Sequence, residues 1–258
     1  MTVELSFTEQ GQGSPIVILH GLFGSKRNWG AVAKALSTTH RVFTLDLRNH
    51  GDSPWDESMT YEALAADVSR FIYHHGIEPC TLIGHSMGGK TAMVLALRKP
   101  DLVSRLVVVD ISPIPRETDI GAYIGVMQDV PLEDCSTRKD IEGHISHAVT
   151  SPSIRQFLLQ NVVREGQDFR WRINLSALDR GMTDIADFPP LPHNIKYAGP
   201  TKFIIGGKSD YVLAHHMKTI YTLFPNADAT TFHNAGHWVH VEEQGAFIET
   251  VQKFLENA

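Results

Sequence analysis

The chain has 258 residues, a formal net charge of −6 and ordinary apolar (42%) and charged (20%) fractions, which suits one large globular domain or one domain carrying an insertion. The negative balance and the lack of a basic run argue against nucleic acid, or an anionic membrane surface, as the main partner. Its two cysteines, Cys80 and Cys135, are too few for a disulfide framework and lack metal-ligand spacing.

Met1 to Ser14 is polar, without the basic and apolar regions of a signal peptide. No apolar run reaches membrane-spanning length. A cytoplasmic chain without membrane insertion is the expectation. Val3 to Thr8 alternates like a half-buried edge strand. Ile16-Val17-Ile18-Leu19 is apolar on both faces, as a central parallel strand is, and ends in His20-Gly21-Leu22-Phe23-Gly24. Val42 to Leu45 ends at Asp46. Tyr61, Leu64, Ala65, Val68, Phe71 and Ile72 share one helical face, with Thr60 placed to cap it. Cys80 to Ile83 then leads into Gly84-His85-Ser86-Met87-Gly88-Gly89, and a helix over 90–99 leads out. Leu106 to Val109 ends at Asp110, Phe203 to Ile205 at Gly206-Gly207, and Ala229 to Phe232 precedes Asn234-Ala235-Gly236-His237-Trp238. A C-terminal helix carries Phe247, Val251 and Leu255. Strands alternating with helices predict an α/β fold with a mostly parallel central sheet flanked by helices. Between Ser112 and Pro192 no buried parallel strand is evident. That stretch reads as helical and amphipathic, bounded by prolines. The expected division is a core of 1–112 and 193–258 with a helical cap inserted at 113–192.

The residues able to do chemistry fall at the ends of these strands, where open α/β sheets bind their ligands. Gly-x-Ser-x-Gly in a strand–turn–helix setting presents Ser86 as a nucleophile. A serine hydroxyl needs a base. Among fourteen histidines, His237 stands in the loop after the last strand, in the order Ser…Asp…His. His85 is expected to point away along the turn, and His74, His75, His215 and His216 to lie on solvated helix faces. His240 follows His237 by three, but without HExxH or nearby cysteines no metal site is expected, and the chemistry needs no cofactor. The developing oxyanion needs two N–H donors, expected from Met87 and Leu22, with Phe23 as the alternate. His20 reads as a hydrogen-bonder pinning that loop. For the carboxylate that orients the base, Asp110 is preferred over Asp210. The acid position of Gly-x-x-Asp, counted from Gly206, holds Ser209, which is read as an accessory hydrogen bond, and Asp210 comes one residue late.

In these stretches, together with Arg48-Asn49-His50-Gly51-Asp52-Ser53 and Val109-Asp110-Ile111-Ser112-Pro113, the chain resembles the α/β-hydrolase-fold serine esterases. The resemblance implies a helical cap and esterase or thioesterase activity on a small acyl ester, including an acyl-CoA. It also favours an acid at the position of Asp110, with Ser tolerated at the position of Ser209. Asn49 stands where most of the family has Gly, and Asn tolerates positive φ. Tyr123, Met127, Phe157 and Trp171 could line an acyl pocket or equally form the core of the cap, and Arg170 and Arg172 could meet an anionic group or be ordinary surface arginines. Other reactions of such a triad are C–C bond hydrolysis and cofactor-free perhydrolysis. A slow-turnover ligand receptor is the non-enzymatic alternative.

Overall fold

In the computed structural model, which describes residues 1–116 and 121–256, seven strands form one sheet in the order β1-β3-β2-β4-β5-β8-β9. They are β1 (Phe7–Gln10), β2 (Pro15–Leu19), β3 (Arg41–Leu45), β4 (Cys80–His85), β5 (Val103–Val109), β8 (Thr201–Gly206) and β9 (Ala227–Phe232). Only β1 runs antiparallel, against β3. It begins four residues later than the alternation of Val3 to Thr8 suggests. The Val3 N–H is instead bound by the Asp67 carboxylate, and Leu5 is buried against the core, so the alternation marks a packed extended arm.

The central strands are apolar on both faces because helices cover both. On one side lie α1 (Gly30–Leu36) and α11 (Gln244–Glu256), whose Val32, Leu36, Phe247 and Val251 meet Ile16, Ile18 and Ile83. On the other lie α2 (Tyr61–His75) and α3 (Met87–Arg98). Thr60 caps α2 by accepting from the Ala63 N–H at 3.3 Å. The chain leaves β2 for β3 on one side and returns to β4 on the other. A crevice therefore opens between the ends of β2 and β4, with the His20 loop on one lip and Ser86 on the other.

Between β5 and β8 the chain forms α4 (Ala122–Gln128), α5 (Arg138–Ser146), α6 (Pro152–Leu159), α7 (Leu175–Arg180) and α8 (Met182–Ala186). It also forms a hairpin absent from the expectation, β6 (Val162–Glu165) paired with β7 (Asp168–Trp171). With only four residues each, these strands have too little alternation to read as β from sequence. Apolar side chains of this segment, among them Ile124, Met127, Ile141 and Leu158, join the same buried cluster as β4, α2 and α3. Beyond β8 come α9 (Met217–Leu223) and α10 (Val239–Glu242). Residues 117–120 of the expected insertion and 257–258 of the expected core lie outside the described residues.

At the β4-to-α3 turn backbone packs directly against backbone. A Cβ on Gly84 would stand 2.2 Å from the Gly88 carbonyl oxygen, and one on Gly88 would stand 2.5 Å from the carbonyl oxygens of Leu19 and His20. All of these are backbone atoms with no room to yield. Gly88→Ala is expected to lower the unfolding free energy by about 1–3 kcal/mol, read as a lower urea midpoint at unchanged slope. An unaltered midpoint would show that the turn can relax.

Candidate active site

Ser86 sits at that turn with φ 52° and ψ −118°. A side chain held at positive φ is strained. Here the strain is imposed by the glycine contacts on either side, and it lifts the side chain out of the sheet. The Ser86 N–H donates to the Val109 carbonyl at 3.1 Å, tying the turn to the end of β5. Met87 opens α3, so its N–H has no partner within the helix.

Asp110 follows β5, also at positive φ (47°), and its carboxylate is fully buried. It accepts from the Gly206 N–H at 2.8 Å, from Ser209 Oγ at 2.5 Å and from His237 Nδ1 at 2.8 Å. The proton on Nδ1 leaves His237 Nε2 as the free nitrogen of the neutral ring. The alternative acid is engaged elsewhere. Asp210 is largely exposed and paired to Arg116 at 2.7 Å, which holds its carboxyl below the usual range. Tyr211 stacks on the His237 ring at 3.8 Å and 18°. Arg116 lies over the Tyr211 ring at 4.2 Å, and Tyr211 is held from behind by Ser112 Oγ donating to its carbonyl at 2.9 Å.

Two small cavities meet at Ser86. One, of about 20 Å³, is walled by Leu22, His85, His237, Phe157, Trp238 and His240. The other, of about 30 Å³, is walled by Leu22, Met87, Lys90, Ile111, Arg116 and Tyr211. Leu22 is the one loop residue before β3 common to both, and among the described residues its N–H meets no protein acceptor. The alternate donor is already engaged. Phe23, at φ 61°, gives its N–H to His50 Nε2 at 3.3 Å. Because that nitrogen accepts, the His50 proton is on Nδ1, donating to the Arg48 carbonyl at 2.9 Å. His20 pins the same loop. Its Nε2 accepts from the Leu47 N–H at 3.0 Å and its Nδ1 donates to the Gly21 carbonyl at 2.8 Å.

Other sequence expectations are corrected. His85 does not point away: its Nε2 donates to the His237 carbonyl at 2.9 Å, with the two rings 4.5 Å apart, so it buttresses the loop carrying His237. His216 is buried rather than solvated and accepts from the Leu213 N–H. Asp46 stays away from Ser86, in an ion pair with Lys26 at 2.6 Å. Of the four side chains that could line an acyl pocket, Phe157 reaches the wall. Met127 is buried within the inserted segment and accepts at its carbonyl from Trp171 Nε1. Arg170 pairs with Glu165, and Arg172 stands 3.7 Å from Asp52. No group of residues suited to hold a metal ion is found among the described residues. Tyr211 and Lys90 were given no role by sequence. Lys90, one turn beyond Ser86 on α3, carried the available signal.

Comparison with known proteins identifies the fold family. Residues 14–130 match the family described as alpha/beta hydrolase fold. The chain is 45% identical to the sn-1-specific diacylglycerol lipase ABHD11 of Xenopus laevis, covering 95% of this chain and 81% of that protein. It is 34% identical to esterase YbfF of Escherichia coli, covering 96% and 95%. A solved marine microorganism esterase superposes with a TM-score of 0.94 at 34% identity, covering 98% of this chain and all of that one. The chain belongs to the α/β-hydrolase family. None of its described helices is long and apolar enough to cross a membrane.

Four buried imidazoles surround the site. Burial lowers His20, lowers His85 well below its ordinary value, and brings His50 and His240 down to about 3. Neighbouring histidines add to the shift of the last three. Each binds a proton less readily in the folded state than in the unfolded one. As pH falls below the ordinary 6.5, the unfolded chain takes up protons that the folded chain refuses. Unfolding free energy therefore rises with pH across this window, by up to about 1.4 kcal/mol per pH unit for each histidine. The urea midpoint is expected to drop from about pH 7 to about pH 5, and His240→Phe, which retains a ring against Trp29, to flatten the slope. A flat wild-type profile would mean these rings are protonated in the fold.

Proposed function

We propose that this chain is a serine hydrolase of small carboxylic esters or thioesters, working through Ser86, His237 and Asp110 and an acyl-enzyme. The observation that carries the reading is the Asp110–His237 hydrogen bond of 2.8 Å beside the cavity that Ser86 and His237 share. The names of the relatives, a diacylglycerol lipase and esterases, support an ester bond as the target.

His237 Nε2 takes the Ser86 hydroxyl proton as Oγ attacks the acyl carbonyl carbon. The imidazolium that results is stabilised by Asp110 through Nδ1. The N–H groups of Leu22 and Met87 receive the oxyanion. As the tetrahedral adduct collapses, the proton passes from Nε2 to the departing alcohol or thiol, leaving Ser86 acylated. Water, deprotonated by the same nitrogen, attacks the acyl-enzyme, and the proton returns to Ser86 Oγ as the acid departs. Ser209 holds the carboxylate that orients the base. Residues 113–192 act as a cap. They close over Ser86 through Phe157 on one side and, through Ile185 and Ala186, on the other.

Turnover of p-nitrophenyl butyrate and butyryl-CoA by variants tests the assignment and separates ester from thioester use. Ser86→Ala is expected to abolish both activities, and Asp110→Asn to reduce kcat by about 10⁴-fold. Asp210→Asn is expected to stay within a few-fold of wild type. A crippled Asp210→Asn beside an active Asp110→Asn would move the acid to Asp210, and retained activity in Ser86→Ala would refute the mechanism.

A further inference from the structure

Two buried imidazoles beside the base carry ring nitrogens without a hydrogen-bond partner. His85 and His240 both wall the cavity of about 20 Å³ that Ser86 and His237 share. Their rings lie 4.8 Å apart, and the residues are only 4% and 3% exposed. His85 gives its Nε2 proton to the His237 carbonyl, which leaves a lone pair on Nδ1. That lone pair meets no donor among the described residues. Neither nitrogen of His240 has a partner among the described residues, and its Nδ1 is closed off. Buried N–H groups are seldom left orphaned, so the closed Nδ1 carries the lone pair and Nε2 carries the proton. Burial keeps both rings neutral, pushing His85 well below its ordinary value and His240 down to about 3.

Packing alone does not call for these nitrogens. His240 stacks on Trp29 at 4.2 Å and 6°, which a phenyl ring would do without hiding a polar atom. One acceptor and one donor at a cavity of this size suit a single water molecule. Gly21 keeps the space next to His85 open. A Cβ there would stand 2.8 Å from His85 Nδ1 and 3.2 Å from Ser86 Cβ, so the bare glycine leaves room beside both. The leaving group departs, and water arrives, on the side of Ser86 where the base stands. Of the two cavities at Ser86, only this one includes His237.

Resting on the hydrolytic reading of Ser86, we propose that His240 and His85 position the water that hydrolyses the acyl-enzyme. The water donates to His85 Nδ1 and accepts from His240 Nε2–H. Its other hydrogen faces His237 Nε2, and its remaining lone pair faces the acyl carbon. As the new C–O bond forms, the hydrogen facing His237 passes to Nε2 as a proton. It moves on to Ser86 Oγ as the bond between Oγ and the acyl carbon breaks. His240 exchanges no proton; it is a positioning residue for deacylation and has no part in acylation.

The two steps are separated with p-nitrophenyl acetate. Nitrophenol release with enzyme in excess gives the acylation rate, and decay of the acetylated protein by intact mass gives deacylation. His240→Phe, which keeps a ring against Trp29, is expected to acylate within about threefold of wild type and to deacylate about tenfold more slowly, as for one lost hydrogen bond. Hydroxylamine, a stronger nucleophile than water, is expected to relieve the block. Loss of both steps together, an unchanged deacylation rate, or a block that hydroxylamine does not relieve overturns the proposal. A crystal structure of the wild-type protein tests it without a variant. A water within about 3.2 Å of both His85 Nδ1 and His240 Nε2 is expected, and none there overturns the proposal. A wild type with no turnover and no acetylated Ser86 refutes the hydrolytic reading instead.

Discussion

Backbone pressed against backbone at the end of β4 is the constraint from which the site follows. Gly84 lies under the Gly88 carbonyl, and Gly88 lies against the carbonyls of Leu19 and His20. The first contact forces the chain to reverse within a few residues, which leaves Ser86 at positive φ. The second brings the start of α3 against the end of β2, so the Met87 N–H and the loop through Leu22 occupy the same neighbourhood. A side chain at either glycine would separate the serine from the loop that faces it. Packing here thus determines chemistry directly: the same missing methyl groups make the turn possible and bring the two proposed oxyanion donors together.

A second convergence holds the imidazole. A fully buried carboxylate has to be matched by donors, and those around Asp110 come from three places in the chain: Gly206 at the end of β8, Ser209 just beyond it, and His237 after β9. The ends of three neighbouring strands are therefore fastened at one point. Behind His237 stands a layer that does not touch the nucleophile's hydroxyl but fixes the ring. Tyr211 lies flat on one face, and His85 holds the carbonyl of His237 itself. His85 in turn packs beside His240, which stacks on Trp29 at 4.2 Å. Neutral imidazoles suit this layer, because each supplies one donor and one acceptor at no net charge.

Much of this was legible in the sequence because two simple signals coincide there. Runs apolar on both faces identify covered parallel strands, and polar residues at the ends of such runs mark where a ligand meets the sheet. Ser86, Asp110, His237 and Leu22 all fell out of that coincidence. What was not legible depends on contacts between distant segments. The four-residue strands β6 and β7 are too short to carry a period. The direction of His85 depends on a carbonyl 152 positions away in sequence, so the local turn alone suggests the wrong outcome. Arg116 carries no signal in the sequence, because its place over Tyr211 exists only in the fold. Lys90 directly follows the Gly84 to Gly89 turn in sequence, yet its environment depends on Ala186 and Asp187, far along the chain.

The inserted segment is joined to the core at the loops that shape the site, and this explains why Leu22 rather than Phe23 has a free N–H. Both peptide groups of Phe23 are held: its N–H by His50, and its carbonyl by Asn161 Nδ2 at 2.9 Å. Held on both sides, Phe23 stays at positive φ and its N–H is taken, while Leu22 lines both cavities beside Ser86. Asn49 plays a parallel part at φ 65°. Its carbonyl accepts from the Asn174 N–H, and its side-chain oxygen from both Asn174 Nδ2 and the Asp56 N–H. Glycine would accept the same backbone angle but make only the first of these three bonds. The Asn side chain therefore trades glycine's ease at positive φ for these two attachments, one of them to the inserted segment, and a third from its Nδ2 to the Met59 sulfur at 3.0 Å. Displacing that segment would strain the Phe23 and Asn49 loops together, so access to Ser86 and the geometry of the donors around it are mechanically linked.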